Sequence, residues 1–148
     1  MIFIVEFIVA LFATTFLAIL FSVPKKELIF CGFTGGFGWI IYYILSHNGI
    51  GPVLSSGIAT FFLTIFARLF AVLRKNPVTI YLLTGIFPLV PGAGIFYSAY
   101  YLFIEETLTA SQKGITTFEI AGAIVFGIIF GFAIPQYVFS KIGKLIKN

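Results

Sequence analysis

Phe87-Pro88-Leu89-Val90-Pro91-Gly92 interrupts an otherwise apolar stretch over residues 78–104. A proline has no N–H to donate and its ring presses on the preceding turn, so Pro88 and Pro91 deprive the carbonyls of Thr84 and Phe87 of their helical partners. In hydrocarbon an unpaired carbonyl is costly, and a broken helix persists only where protein or a water-filled cavity satisfies it again. Transporters build solute sites at such breaks near the bilayer midplane. The stretch points to transport, with a site around residues 88–94.

The rest of the chain agrees that the solvent is lipid. Its 148 residues are 60% hydrophobic and only 9% charged, with a mean hydropathy of +1.13. A soluble domain of this length has too little interior to hide that much apolar surface. Apolar runs over residues 2–23, 28–46, 50–73, 78–104 and 118–139 are each near the ~20-residue length of a span. They are separated by Pro24-Lys25-Lys26-Glu27, by His47-Asn48-Gly49, by Arg74-Lys75-Asn76-Pro77 and by a polar stretch over 105–117. The first run lacks a basic flank and a small-residue exit, so it is expected to stay as a helix. The expectation is an all-α integral membrane protein, one transmembrane domain over 1–148. It has five transmembrane helices, the fourth broken over residues 87–92.

Lys and Arg set the direction. Five spans put Lys25, Lys26, Arg68, Arg74, Lys75, Lys141, Lys144 and Lys147 on one side and Lys113 alone on the other. A fourth segment that dipped in and returned would divide them far less unevenly. The expected topology is a multi-pass protein of the cell membrane, N-terminus outside and C-terminus cytoplasmic. Eleven residues from Val78 at ~1.5 Å each place Leu89 roughly 17 Å into a ~30 Å core.

Asp is absent and His47 is the single histidine. No metal site, Ser-His-Asp triad or Asp dyad can be assembled from such a chain alone, so neither an enzyme nor a cofactor is expected. Cys31 has no partner and reads as a small packing residue. The formal charge of +4 resides on helix ends rather than on a patch, and nucleic acid is not an expected partner.

At the break, Gly85, Gly92 and Gly94 flank the prolines and favour two half-helices over one kinked helix. The freed carbonyls of Thr84 and Phe87 suit an ammonium. The N-terminus opening at Gly92-Ala93-Gly94 offers N–H groups and a positive dipole end to a carboxylate. Tyr97 and Tyr100, one and two turns further on, are candidates to face a substrate. Ser56, Thr60, Thr64 and Arg68 recur every four residues on the third span. For the hydroxyls helix packing is the leading reading. Arg68 is divided between snorkelling to headgroups and attracting an anionic substrate group. Gly32/Gly36 and Ala123, Gly127 and Gly131 have the spacing of close helix contacts. Glu6 is the one carboxylate inside a span, Glu119 standing at an edge. It is a candidate proton carrier by location, with simple contact to outer headgroups as the plainer reading.

Ala67-Arg68, Lys75-Asn76-Pro77-Val78-Thr79 and Phe87-Pro88-Leu89-Val90-Pro91-Gly92-Ala93-Gly94 with Tyr97 resemble the signature of the threonine/serine exporter family. Phe21-Ser22-Val23-Pro24-Lys25 and residues 31–38 resemble the start of the C-terminal half of the full-length exporter, so the likeness covers nearly the whole chain. Thr84-Gly85 departs from the Pro-Gly often found there. The resemblance implies proton-driven export of threonine and serine from a ten-helix unit. In it, a small subunit such as this pairs with a larger one that carries the other five helices. It also leaves open export of small carboxylates such as succinate. The rival of another class is a structural or assembly subunit whose break is only a kink.

Overall fold

The computed structural model describes residues 2–147, with side chains through Gly143, so the side chains of Lys144 and Lys147 lie outside the described residues. The chain is helical throughout: α1 (Ile2–Leu20), α2 (Leu28–His47), α3 (Pro52–Arg74), α4 (Val78–Ile86), α5 (Gly92–Phe103), α6 (Thr107–Ala133) and α7 (Gln136–Lys147). A single 3-10 turn, Lys25–Glu27, precedes α2, and another, Phe87–Leu89, follows α4. Four helices are long and apolar enough to cross a membrane, and the bent pair α4–α5 supplies a fifth span when taken as one.

Local chemistry sets most of the boundaries. Pro52 opens α3 where its missing N–H is no loss. Lys75 closes it in the left-handed region (φ 57°), its N–H returning to the Ala71 carbonyl, and Pro77 then caps α4. Two boundaries differ from expectation. The polar stretch 105–117 is helix from Thr107 onward, because Glu105 (φ 63°) reverses the chain and α6 starts at once, its inner side resting on α5. The run expected over 118–139 stops at Ala133. Ile134 before Pro135 is extended (ψ 125°), as the proline ring demands, and α7 continues separately.

Small residues let the helices meet. Gly32, Gly35 and Gly36 of α2 receive α1, and a Cβ on Gly36 would lie 2.8 Å from the Phe7 ring. Gly127 of α6 seats on α3, where a Cβ would come to 2.5 Å from the Gly57 carbonyl oxygen and 3.0 Å from the Phe61 nitrogen. The hydroxyls of Ser56, Thr60 and Thr64 are buried at this seam and donate to the carbonyls of Pro52, Ser56 and Thr60 at 2.7, 2.7 and 2.8 Å. They satisfy themselves and pack. α4 is wedged against α2 and α3, with Tyr81 fully buried, whereas α5 rests on α6 and buries none of its side chains. The break thus joins a clamped half-helix to a peripheral one.

Candidate functional site

The two halves of the broken span meet at 46°. The tight turn meets part of the hydrogen-bonding need itself: Val90 N–H donates to the Phe87 carbonyl at 3.2 Å, and Gly92 N–H to the Val90 carbonyl at 2.7 Å. The expectation that the Phe87 carbonyl stands free is therefore corrected. Where proline removes the donor four residues on, a donor three residues on replaces it. Gly92 N–H is likewise engaged. The amides of Ala93 and Gly94, second and third in α5, have no carbonyl ahead of them in the helix and remain the donors at this end.

Ala93 belongs to the wall of a cavity of about 250 Å³, with Gly94 one residue further along α5. Residues 88–93 form one side, and Trp39 and Tyr42 of α2, Ser56 of α3 and Ile120 of α6 form the other. A Cβ on Gly92 would meet nothing within 4 Å, so backbone there is open to a ligand. Gly94 is different: a Cβ on it would collide with the Thr117 hydroxyl, so its smallness serves the α5–α6 contact. Trp39 also reaches the other way. Its indole N–H donates to Glu6 Oε2 at 2.8 Å, and its ring lies 5.3 Å from that of Tyr42. The acid of the first span and the break of the fourth are therefore linked through one side chain.

The remaining sequence candidates are dispersed. Thr84 is buried and does not line the cavity, its hydroxyl donating to the Ile80 carbonyl at 2.7 Å. Tyr97 and Tyr100 are half-exposed on α5 in an aromatic cluster with Phe96 and Tyr101, away from the cavity wall. Arg68 lies at the other end of α3. Its guanidinium donates to the carbonyls of Gly131 (2.8 Å), Phe132 (3.3 Å) and Ile134 (2.6 Å) and to Gln136 Oε1 (2.8 Å). A cation there closes the C-terminus of α6, where unpaired carbonyls concentrate negative charge.

Two features escape a reading of the sequence. Trp39 and Tyr42 sit three apart on a glycine-rich span, and the only signal was that the chain's single tryptophan lies there. Glu27 belongs to the separator Pro24-Lys25-Lys26-Glu27, yet it is buried, accepting from Arg74 at 2.9 Å and from the Tyr81 hydroxyl at 2.7 Å. That cluster ties the start of α2 to the end of α3 and to α4. Larger depressions of about 670 and 520 Å³ on α6, facing α3 and α5, have mainly apolar walls and offer a polar solute little.

A helical membrane protein whose broken span opens onto a cavity lined by the first residues of a half-helix, an indole and a phenol has the architecture of a solute transporter. The family model described as Threonine/Serine exporter, ThrE, matches residues 6–134, and the chain belongs to that family. No curated protein and no solved structure matches it.

Proposed function

We propose that this chain is the five-span half of a proton-driven exporter of threonine and serine, working with a larger five-helix subunit of the same family. The observation that carries the reading is the cavity at the break, which Ala93, with its free amide, lines together with Trp39, Tyr42 and Ser56. At about 250 Å³ it lies below the ~300–1,000 Å³ usual for drug-sized ligands and suits a small metabolite. The substrate carboxylate takes the Ala93 and Gly94 amides at the positive end of α5. Its ammonium meets the faces of Trp39 and Tyr42 on the opposite wall, which the Thr84 and Phe87 carbonyls do not line. Pro88 and Pro91 keep the two halves apart, and the open Gly92 lets the backbone approach. Glu6 carries the proton, and Trp39 conveys its charge state to the cavity. The N-terminus is outside and the C-terminus cytoplasmic, a reading that the distribution of Lys and Arg supports.

The test is efflux of labelled threonine and serine from proteoliposomes holding this chain alone, the partner alone, or both. Efflux driven by an imposed proton gradient is expected only with both. Full activity from this chain alone would reject the two-part assembly. Absence of efflux from the verified complex would reject the export reading.

A further inference from the structure

A second cavity, of about 400 Å³, opens at the Lys/Arg-rich end of the molecule, and no acid among the described residues lines it. Arg68, only 6% exposed, and Lys75 both line it, with Asn76, Gln136, Val72 and Phe132. Among the described residues every acceptor of the Arg68 guanidinium is neutral: three carbonyls and one side-chain amide. The one ion pair among the described residues consumes Glu27 on Arg74. None of the other four acids, Glu6, Glu105, Glu106 and Glu119, is among the residues that line the cavity. A buried charge ordinarily has a partner of opposite sign. The α6 carbonyls offset the charge in part, but a guanidinium has five N–H groups. Among the described residues, no acceptor takes the Nε proton or the second Nη2 proton. A planar donor pair of that kind matches an oxyanion.

We propose that this cavity is an anion site, distinct from the break, for the carboxylate or phosphate group of a small solute or of a phospholipid headgroup. Arg68 supplies the fixed donors and Lys75, at the exposed rim, a second charge. Val72 and Phe132 limit the space to a small group with an apolar flank. The site stands on its own charges and does not depend on the export reading.

Lys75 is the residue to change, because Arg68 also closes α6. Lys75→Asn removes the charge with a residue that accepts the left-handed backbone, and Lys75→Arg restores it. The purified chain in phosphatidylcholine nanodiscs is titrated with succinate and with inorganic phosphate. In a second arm, the chain extracted from phosphatidylglycerol-containing bilayers is examined by native mass spectrometry for retained lipid. Saturable binding of either probe, weakened about tenfold by Lys75→Asn and kept within about threefold by Lys75→Arg, supports a soluble ligand. Retained phosphatidylglycerol that Lys75→Asn loses and Lys75→Arg keeps supports the headgroup. No anion in either arm, or equal binding by wild type and Lys75→Asn, overturns the proposal.

Discussion

Gly92 and Gly94 are two residues apart on the first turn of α5, yet substitutions at them should fail in opposite ways. A Cβ at Gly92 meets nothing within 4 Å. The Cβ of Gly92→Leu therefore meets no clash, and in a helix leucine is favoured over glycine by up to ~0.8–1 kcal/mol. Its four added carbons, each given about the ~30 Å³ of a water, occupy roughly 120 Å³. That is near half of the about 250 Å³ cavity, beside the amides assigned to the carboxylate. Stability should hold or rise slightly while transport falls to background. Gly94→Ala adds a single methyl, but it collides with the Thr117 hydroxyl, which is itself committed to the Lys113 carbonyl at 2.7 Å. Overpacking of this kind costs ~1–3 kcal/mol. Here abundance and thermal stability should fall together with transport, and Thr117→Ala in the same chain should restore both. The measurements are labelled-threonine efflux normalised to folded protein, and unfolding temperature in detergent. Wild-type efflux by a normally abundant Gly92→Leu protein would refute the cavity as the substrate site. A stable, fully active Gly94→Ala protein would refute the account of the α5–α6 contact.

Glu6→Gln should abolish export driven by a proton gradient while leaving substrate exchange, measured without a gradient. Trp39→Phe should reduce driven export by roughly threefold or more, since hydrogen bonds between membrane helices average ~0.6 kcal/mol and those to charged groups reach ~1.5–3. Equal loss of driven export and exchange in Glu6→Gln would make Glu6 structural. For topology, cysteines replacing Leu108 and Lys141, both exposed, in a Cys31→Ser background should differ: an impermeant reagent should label the first in intact cells and the second only after permeabilisation. At the α3–α6 seam, Gly127→Ala should destabilise by ~1–3 kcal/mol because backbone blocks the new methyl, whereas Gly122→Ala, which meets nothing within 4 Å, should be neutral. Comparable unfolding temperatures for the two variants would contradict the packing described.

Much of this was legible in the sequence because lipid makes local chemistry decisive. Span lengths follow from apolar runs, and the break follows from Pro88 and Pro91, which forbid a continuous hydrogen-bond ladder whatever surrounds them. The close contacts of Gly32, Gly36, Gly127 and Gly131 follow from small residues at four-residue spacing. What the sequence alone left undecided is where each lone polar group finds its partner. Arg68 meets carbonyls more than sixty positions away, Glu27 meets Arg74 forty-seven positions on, and Glu6 reaches the break only through Trp39. Such pairings depend on which helix faces which, and local patterns carry no record of that. The turn that engages the Phe87 carbonyl and the extension of α6 into polar residues were settled in the same way, by the neighbours that α4, α5 and α6 acquire when the bundle closes.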